Sequence, residues 1–371
     1  MQNMNMKKFV TVCMLGIISF LLTTIPVLGT EQEVMSLELV HTYQSKEELQ
    51  AVYPKEFREK KPIIETMDTI RFIDPKTGRI QREIPKEKGQ PFTTEEKQRL
   101  NEHKPVLRKG TWYTISGDQA FLVQSEYISK IYSLRDTEQP EIRFKSRVLY
   151  NAQGEQIANL PTDVENIDIK QSPDNQYFTA YGFDFPAMSR FLWFYSTDGT
   201  LLKKHEITPV NTTKYSQNGE FVVAFGGLDN PLFYVFTKTG DIFYQGKYTD
   251  IIQDEEGTML YGVFVSEHGD MMLLQTWREI QLWLTNGSIL WKKSSFRADD
   301  CFFISQKNLI IATIYTGFLQ DSNLVDSYTM QVLSLETGNV LDEIKEISKI
   351  TVIDEHIFVT KDGKYYEYQI R

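Results

Sequence analysis

From Gly110 to the C-terminus, apolar runs alternate with two kinds of polar break. The first break is led by serine. It stands before Phe121 as Ser116-Gly117-Asp118-Gln119, before Tyr177 as Ser172-Pro173-Asp174-Asn175, and before Phe221 as Ser216-Gln217-Asn218-Gly219. It returns as Ser266-Glu267-His268-Gly269 before Met271 and as Ser305-Gln306-Lys307-Asn308 before Leu309. The second break closes on a glycine, at Gly154, Gly199, Gly240, Gly287 and Gly338, with spacings of 45, 41, 47 and 51 residues. Tight hairpin turns need positive φ, which glycine supplies without a Cβ clash. Strict alternation of the two breaks predicts four short antiparallel strands per repeat.

The longest legible unit runs from Gln171 to Leu202, with strand-like runs at Tyr177 to Tyr181 and Leu192 to Tyr195. Its Ser-Pro-Asp-Asn-Gln-Tyr-Phe turn resembles the Ser-Pro-Asp-Gly-Lys-Tyr turn of tryptophan–aspartate-repeat, TolB-like and YVTN-type propellers. Asn286-Gly287-Ser288-Ile289-Leu290-Trp291 resembles the close of a pyrroloquinoline-quinone-type blade. The resemblance covers Gly110 to Arg371 and implies an all-β fold, a β-propeller of four-stranded blades. The positions equivalent to Trp291 after the other turns carry Ala158, Lys203, Tyr244 and Asp342, so no quinone or other cofactor is expected. Six blades are expected, or seven if Glu126 to Tyr150 holds extra strands.

Residues 30–109 read as a charged N-terminal extension with short helices. Ser45-Lys46-Glu47-Glu48 and Thr93-Thr94-Glu95-Glu96 are capping boxes. A hairpin spans Thr69 to Ile84 around Asp74-Pro75-Lys76-Thr77-Gly78. The tail from Lys349 to Arg371 holds three strand candidates, so its blade lacks one strand. The Thr69 to Ile84 hairpin is expected to supply it, closing the ring through both termini.

Residues 1–29 read as a signal peptide: Lys7 and Lys8, the apolar run Phe9 to Leu28, and a small-residue exit at Val27-Leu28-Gly29. The expected location is therefore secreted or periplasmic. A membrane association is expected only if this segment stays uncleaved. Cleavage takes the formal charge from −10 to −12. With no basic block, nucleic acid is not an expected partner. The mature chain keeps Cys301 alone, so no internal disulfide forms. Its neighbours Asp299, Asp300, Phe302 and Phe303 offer no cation to activate the thiol, and a buried structural cysteine is expected.

The chain has no Gly-x-Ser-x-Gly, no His-Glu-x-x-His and no Cys-x-x-Cys, and its five histidines are scattered. The acidic groups at Asp250 to Glu256 and at Asp299-Asp300 lack calcium-loop spacing and read as solvated turns. No metal site is expected.

The two turn types share one face of a propeller, leaving the connections between strands two and three, and between blades, on the other. Several of these are long: 182–190, 226–231 and 316–328. Variable loops on a rigid ring are where recognition concentrates. The candidate binding residues are Phe183, Asp184, Phe185, Met188, Arg190, Leu228, Asp229, Trp277, Arg278 and Phe318. The expected function is an exported binding module that takes a protein or glycan on this loop face. The alternative is an enzyme with its site over the channel, of lyase, glycosidase or quinoprotein type.

Overall fold

The structure is a computed structural model. It describes residues 37–53, 62–132, 141–164, 166–184, 188–207, 210, 212–226, 232–247, 260–276, 279–294, 298–316, 318–320, 323–325, 327–353 and 356–370. The signal-like segment and the acids at 250–256 lie outside these residues.

The described chain begins with β1 (Leu37–Tyr43) and α1 (Lys46–Val52), followed by β2 (Ile63–Glu65), β3 (Thr69–Ile73), β4 (Ile80–Pro85) and α2 (Thr94–Asn101). Both helices start at the expected caps. The Ser45 hydroxyl accepts the Glu48 amide at 3.3 Å, and Thr93 and Glu96 complete a reciprocal capping box. The first four-stranded sheet is β5 (Val106–Ile115), β6 (Leu122–Ile131), β7 (Glu141–Tyr150) and β8 (Gln156–Asn159). The next is β9 (Asn166–Gln171), β10 (Tyr177–Asp184), β11 (Ser189–Ser196) and β12 (Leu201–Glu206). Then come β13 (Thr212–Tyr215), β14 (Phe221–Phe225), β15 (Leu232–Thr237) and β16 (Ile242–Lys247), and after them β17 (Leu260–Val265), β18 (Met271–Thr276), β19 (Glu279–Leu284) and β20 (Ile289–Ser294). The following sheet takes β21 (Asp300–Ile304), β22 (Leu309–Tyr315), β25 (Tyr328–Ser334) and β26 (Val340–Ile347), with β23 (Phe318–Gln320) and β24 (Asn323–Val325) paired in its long connection. The last strands are β27 (Lys349–Ile353), β28 (His356–Lys361) and β29 (Lys364–Ile370).

This is an all-β propeller. Successive sheets pack face to face, and the register explains how. On β14, Phe221, Val223 and Phe225 join Val263, Val265, Met272 and Leu274 of the next sheet. The alternate residues Val222 and Ala224 face Leu192 and Phe194 of the previous one. Both faces of a middle strand are therefore buried: β14 reads as an unbroken apolar run, and β18 is buried along its whole length, its Gln275 and Thr276 included. Outer strands such as β12 and β16 are mostly exposed.

Serine-led turns hold the inner strand to the second. The Ser172 hydroxyl donates to Asp174 Oδ1 at 2.6 Å and accepts the Gln176 and Tyr177 amides, each at 3.2 Å. The glycine turns at Gly154, Gly199, Gly240 and Gly338 dock onto the preceding blade. Gly199, at φ +86°, stands so close to β8 that a Cβ would lie 1.9 Å from the Ile157 carbonyl oxygen. Gly154, at φ +80°, faces Arg82 of β4 and Phe72 of β3 in the same manner, and Arg82 donates to the Gly154 carbonyl.

That last contact corrects one expectation. The Thr69 to Ile84 hairpin does not close the final blade. It joins β2 in a three-stranded sheet of its own, packed through Ile63, Ile70 and Phe72 against Leu122 and Tyr150 of the neighbouring sheet. It occupies the place of a blade preceding β5 to β8, so the described residues form six four-stranded blades and this three-stranded one. No additional strand within Glu126 to Tyr150 is needed to account for it. The strand that completes the last blade is β1, which pairs antiparallel with β29 from Leu37↔Ile370 to Tyr43↔Tyr365. The N-terminal part of the described chain is thus built into the last blade, and the ring is tied by its two ends.

Candidate functional site

The sequence-derived candidates fall into three groups in the structure. Phe183, Asp184 and Arg190 are strand residues, because β10 and β11 continue pairing to Phe183↔Arg190 and Asp184↔Ser189. The expected loop of 182–190 is therefore shorter, turning between Asp184 and Ser189. The Arg190 guanidinium lies 5.1 Å from the Phe183 ring centroid and donates to the Val210 carbonyl at 2.6 Å. Met188, at φ +53°, is 62% exposed, an apolar side chain in water at the tip. Phe185, Leu228, Asp229, Trp277 and Arg278 lie outside the described residues, as does the side chain of Phe318.

A concave site does lie on the loop face, at a place the sequence did not mark. A cleft of about 260 Å³ separates the last two four-stranded blades. Its lining comes from Asp299, Asp300 and Phe302 at the start of β21, Thr313 near the end of β22, and Tyr328 opening β25. Ile347, Ser348, Lys349 and Ile350, where β26 passes to β27, form the opposite wall. Every one of these positions is at the strand ends remote from the serine and glycine turns, hence on the loop face. Tyr328 is backed by Tyr315, with ring centroids 5.4 Å apart at a steep angle.

Asp299 and Asp300 are exposed, as solvated turn residues should be, yet both carboxylates are engaged. Asp299 Oδ2 accepts the Tyr315 amide at 2.6 Å. Asp300 Oδ1 lies 3.2 Å from Lys214 Nζ, which also donates to the Asp299 carbonyl at 3.1 Å. Lys214 belongs to the inner strand β13, two blades away. Its ammonium passes over the Phe264 ring of the intervening blade at 4.5 Å. The inner ends of three blades are thus joined at one point by a cation.

Other polar chemistry is structural. Glu367 on β29 is buried and takes three partners: Tyr43 at 2.6 Å, Tyr53 at 2.8 Å and His356 Nδ1 at 2.7 Å. Arg147 is buried with its guanidinium 3.7 Å from the Phe144 ring centroid and donating to the Pro161 carbonyl at 2.9 Å. Burial pulls its pKa down to about 10. Cys301 is buried, as expected, on the face of β21 turned away from the cleft, among Phe264, Leu273 and Leu282 of the preceding blade, and desolvation pushes its thiol well above the usual range. Among the described residues, no three His, Cys, Asp or Glu side chains converge as a metal site, and no helix is long and apolar enough to cross a membrane.

No protein-family model matches the chain, and no curated protein matches it in sequence. Several solved structures are similar in shape. The crystal structure of the Cps50 (Swd1) β-propeller domain of Myceliophteria thermophila covers 91% of this chain and 100% of its own, at TM-score 0.40 and 11% identity. Sqt1 from Chaetomium thermophilum covers 81% and 89% respectively, at TM-score 0.37 and 10% identity. The AfRom2 CNH domain covers 71% and 95%, at TM-score 0.36 and 11% identity. The fold assignment rests on the strand topology of the chain itself.

Proposed function

We propose that this chain is a binding propeller that docks a protein partner on its loop face, with the cleft between the last two four-stranded blades as the contact. The observation that carries this reading is the cleft itself. It is concave, mixes aromatic and isoleucine walls with a few charged groups, and is framed by ladders on both sides. Such a combination suits a partner side chain anchored in a pocket and oriented by polar groups at the rim. On the turn face, Ser172, Asp174 and Gly199 are engaged in turn geometry.

Site-specific photocrosslinking in the producing cell tests the reading. A benzoylphenylalanine at Ser348 or Tyr328 should yield a discrete protein adduct, and one at Asp198 on the turn face should not. Adducts from Asp198 alone, or none from the cleft positions, would reject the assignment.

Export is part of the same proposal, supported by Lys7-Lys8 and the apolar run that follows. The mature protein should begin near Thr30 on N-terminal sequencing. Recovery of soluble cytosolic chain with an intact N-terminus counts against export.

A further inference from the structure

We infer that the cleft takes a cationic side chain, lysine or arginine, carried on an extended segment of the partner; this rests on the docking reading above. The molecule already shows the site holding a cation. Lys214 reaches in from two blades away to Asp300 Oδ1 at 3.2 Å and the Asp299 carbonyl at 3.1 Å. The Lys214 side chain is 32% exposed and that of Asp300 57% exposed, so this is a surface ion pair. Such pairs are weak and exchange readily.

The charged lining is Asp299, Asp300 and Lys349, with Lys214 entering from the side. Lys214 uses only the rim. Its ammonium sits 4.5 Å from the centroid of Phe264, a ring that does not line the cleft, and Lys214 is not among the residues of the lining walls, which include Phe302, Tyr328, Ile347 and Ile350. A partner lysine or arginine entering from solvent reaches the same carboxylate while laying its methylenes on those walls. Its charge also meets the aromatic rings, which attract cations. The chain's own lysine is thus a placeholder that a better-packed cation displaces.

The backbone beside the cleft favours an extended ligand. The β22–β25 ladder passes Tyr315↔Tyr328, the Thr316 amide donates to the Ser327 carbonyl at 2.7 Å, and the separate β23–β24 pair keeps the same register from Phe318↔Val325 to Gln320↔Asn323. β21 leaves this ladder at Asp300↔Thr313 and β26 leaves it at Tyr328↔Ile347. Beyond the cleft the ribbon is a two-stranded sheet. An extended segment adds to the edge of such a ribbon by main-chain pairing, with alternate side chains available for a pocket.

The test is selection of random phage-displayed peptides on the intact protein, followed by anisotropy titration of the selected peptides. The inference expects a shared lysine or arginine, with its replacement by glutamine weakening binding about tenfold. Asp300→Asn should weaken binding by a similar factor. Lys214→Met should strengthen it several-fold, because the internal competitor is gone, and thermal melting of each variant checks that the fold is retained. If the selected peptides lack a cation, or Lys214→Met weakens them, while Tyr328→Ala still abolishes binding, the cation inference fails and the docking reading stands. If nothing is enriched, or binding ignores both Asp300→Asn and Tyr328→Ala, both fail.

Discussion

The Tyr43 hydroxyl donates to Glu367 Oε2 at 2.6 Å across 324 residues of sequence. With Tyr53 and His356 on the same carboxylate, this bond fastens β1 and α1 to the final blade. The Glu367 side chain is only 5% exposed, so an unpaired carboxylate there would be costly.

Glu367→Gln should therefore destabilise the fold by roughly 2 kcal/mol, since an amide cannot accept from all three donors in the same way. The pH dependence follows from direction. Burial pushes the carboxyl upward, but hydrogen bonds from Tyr43, Tyr53 and His356 outweigh it and leave the pKa below the ordinary value. A depressed carboxyl contributes stability that is present above the unfolded value, about 4.3, and is lost as pH falls through the folded value. Melting temperature should fall more steeply below about pH 4 in the parent protein than in Glu367→Gln. Parallel acid limbs in the two proteins would show that the carboxylate does not anchor closure.

Two turn glycines separate backbone strain from packing. Gly199 and Gly287 both have positive φ, at +86° and +90°. A Cβ on Gly199 meets the Ile157 carbonyl at 1.9 Å, and one on Gly287 meets nothing within 4 Å. Gly287→Ala should cost about 1–2 kcal/mol, the left-handed penalty alone. Gly199→Ala adds a shift between two blades and should cost several kcal/mol, about 3 or more. Equal losses in denaturant titrations would mean that the turn does not bear on its neighbour.

The repeat was legible in sequence because its signals are local. Ser172 and Asp174 build their turn within six residues, and Gly199 declares its own φ. What escaped was non-local. β1, as an outer strand, exposes Leu39 and Val40 on its partly wet surface and buries only Tyr43 fully, so Leu37 to Tyr43 lacks a clean alternation. β2 is three residues long, too short for a pattern. The cleft escaped for the same reason, since Asp300, Tyr328 and Ile350 come together only through the packing of two blades. Asp299-Asp300 looked like an ordinary polar turn because its partner, Lys214, is 86 residues from Asp300. Phe183 and Arg190 read as loop residues in sequence because no residue type marks where a hairpin stops pairing.

Cys301 provides a probe of opening. It is buried in the core between its own blade and the preceding one, and desolvation with Asp300 nearby holds the thiol protonated. A thiol-disulfide reagent at neutral pH should label it at least about a thousandfold more slowly in the folded protein than in urea, because reaction waits for local opening. Fast labelling without unfolding would place the thiol at the surface and undo the description of the core between these two blades.

Closure itself is tested by comparing two truncations. Removing residues up to Tyr53 strips β1 and α1, uncovers the edge of β29, and leaves Glu367 without Tyr43 and Tyr53. It also opens the cluster of Tyr43, Leu49 and Phe358. Burial of one such side chain is worth about 1.5–3 kcal/mol, so the loss is large against an ordinary folding free energy of about 5–15 kcal/mol. A free strand edge also invites pairing between molecules. This truncation should therefore melt far below the parent protein and associate on concentration. A peptide matching Leu37 to Tyr53, added in excess, should restore part of the melting temperature, because the strand's partners remain in place. A variant with the β3–β4 turn alone shortened, between Ile73 and Ile80, leaves β1 in position and should keep the final blade closed. If shortening that turn causes the association and removal of β1 does not, the hairpin rather than the N-terminal strand seals the ring.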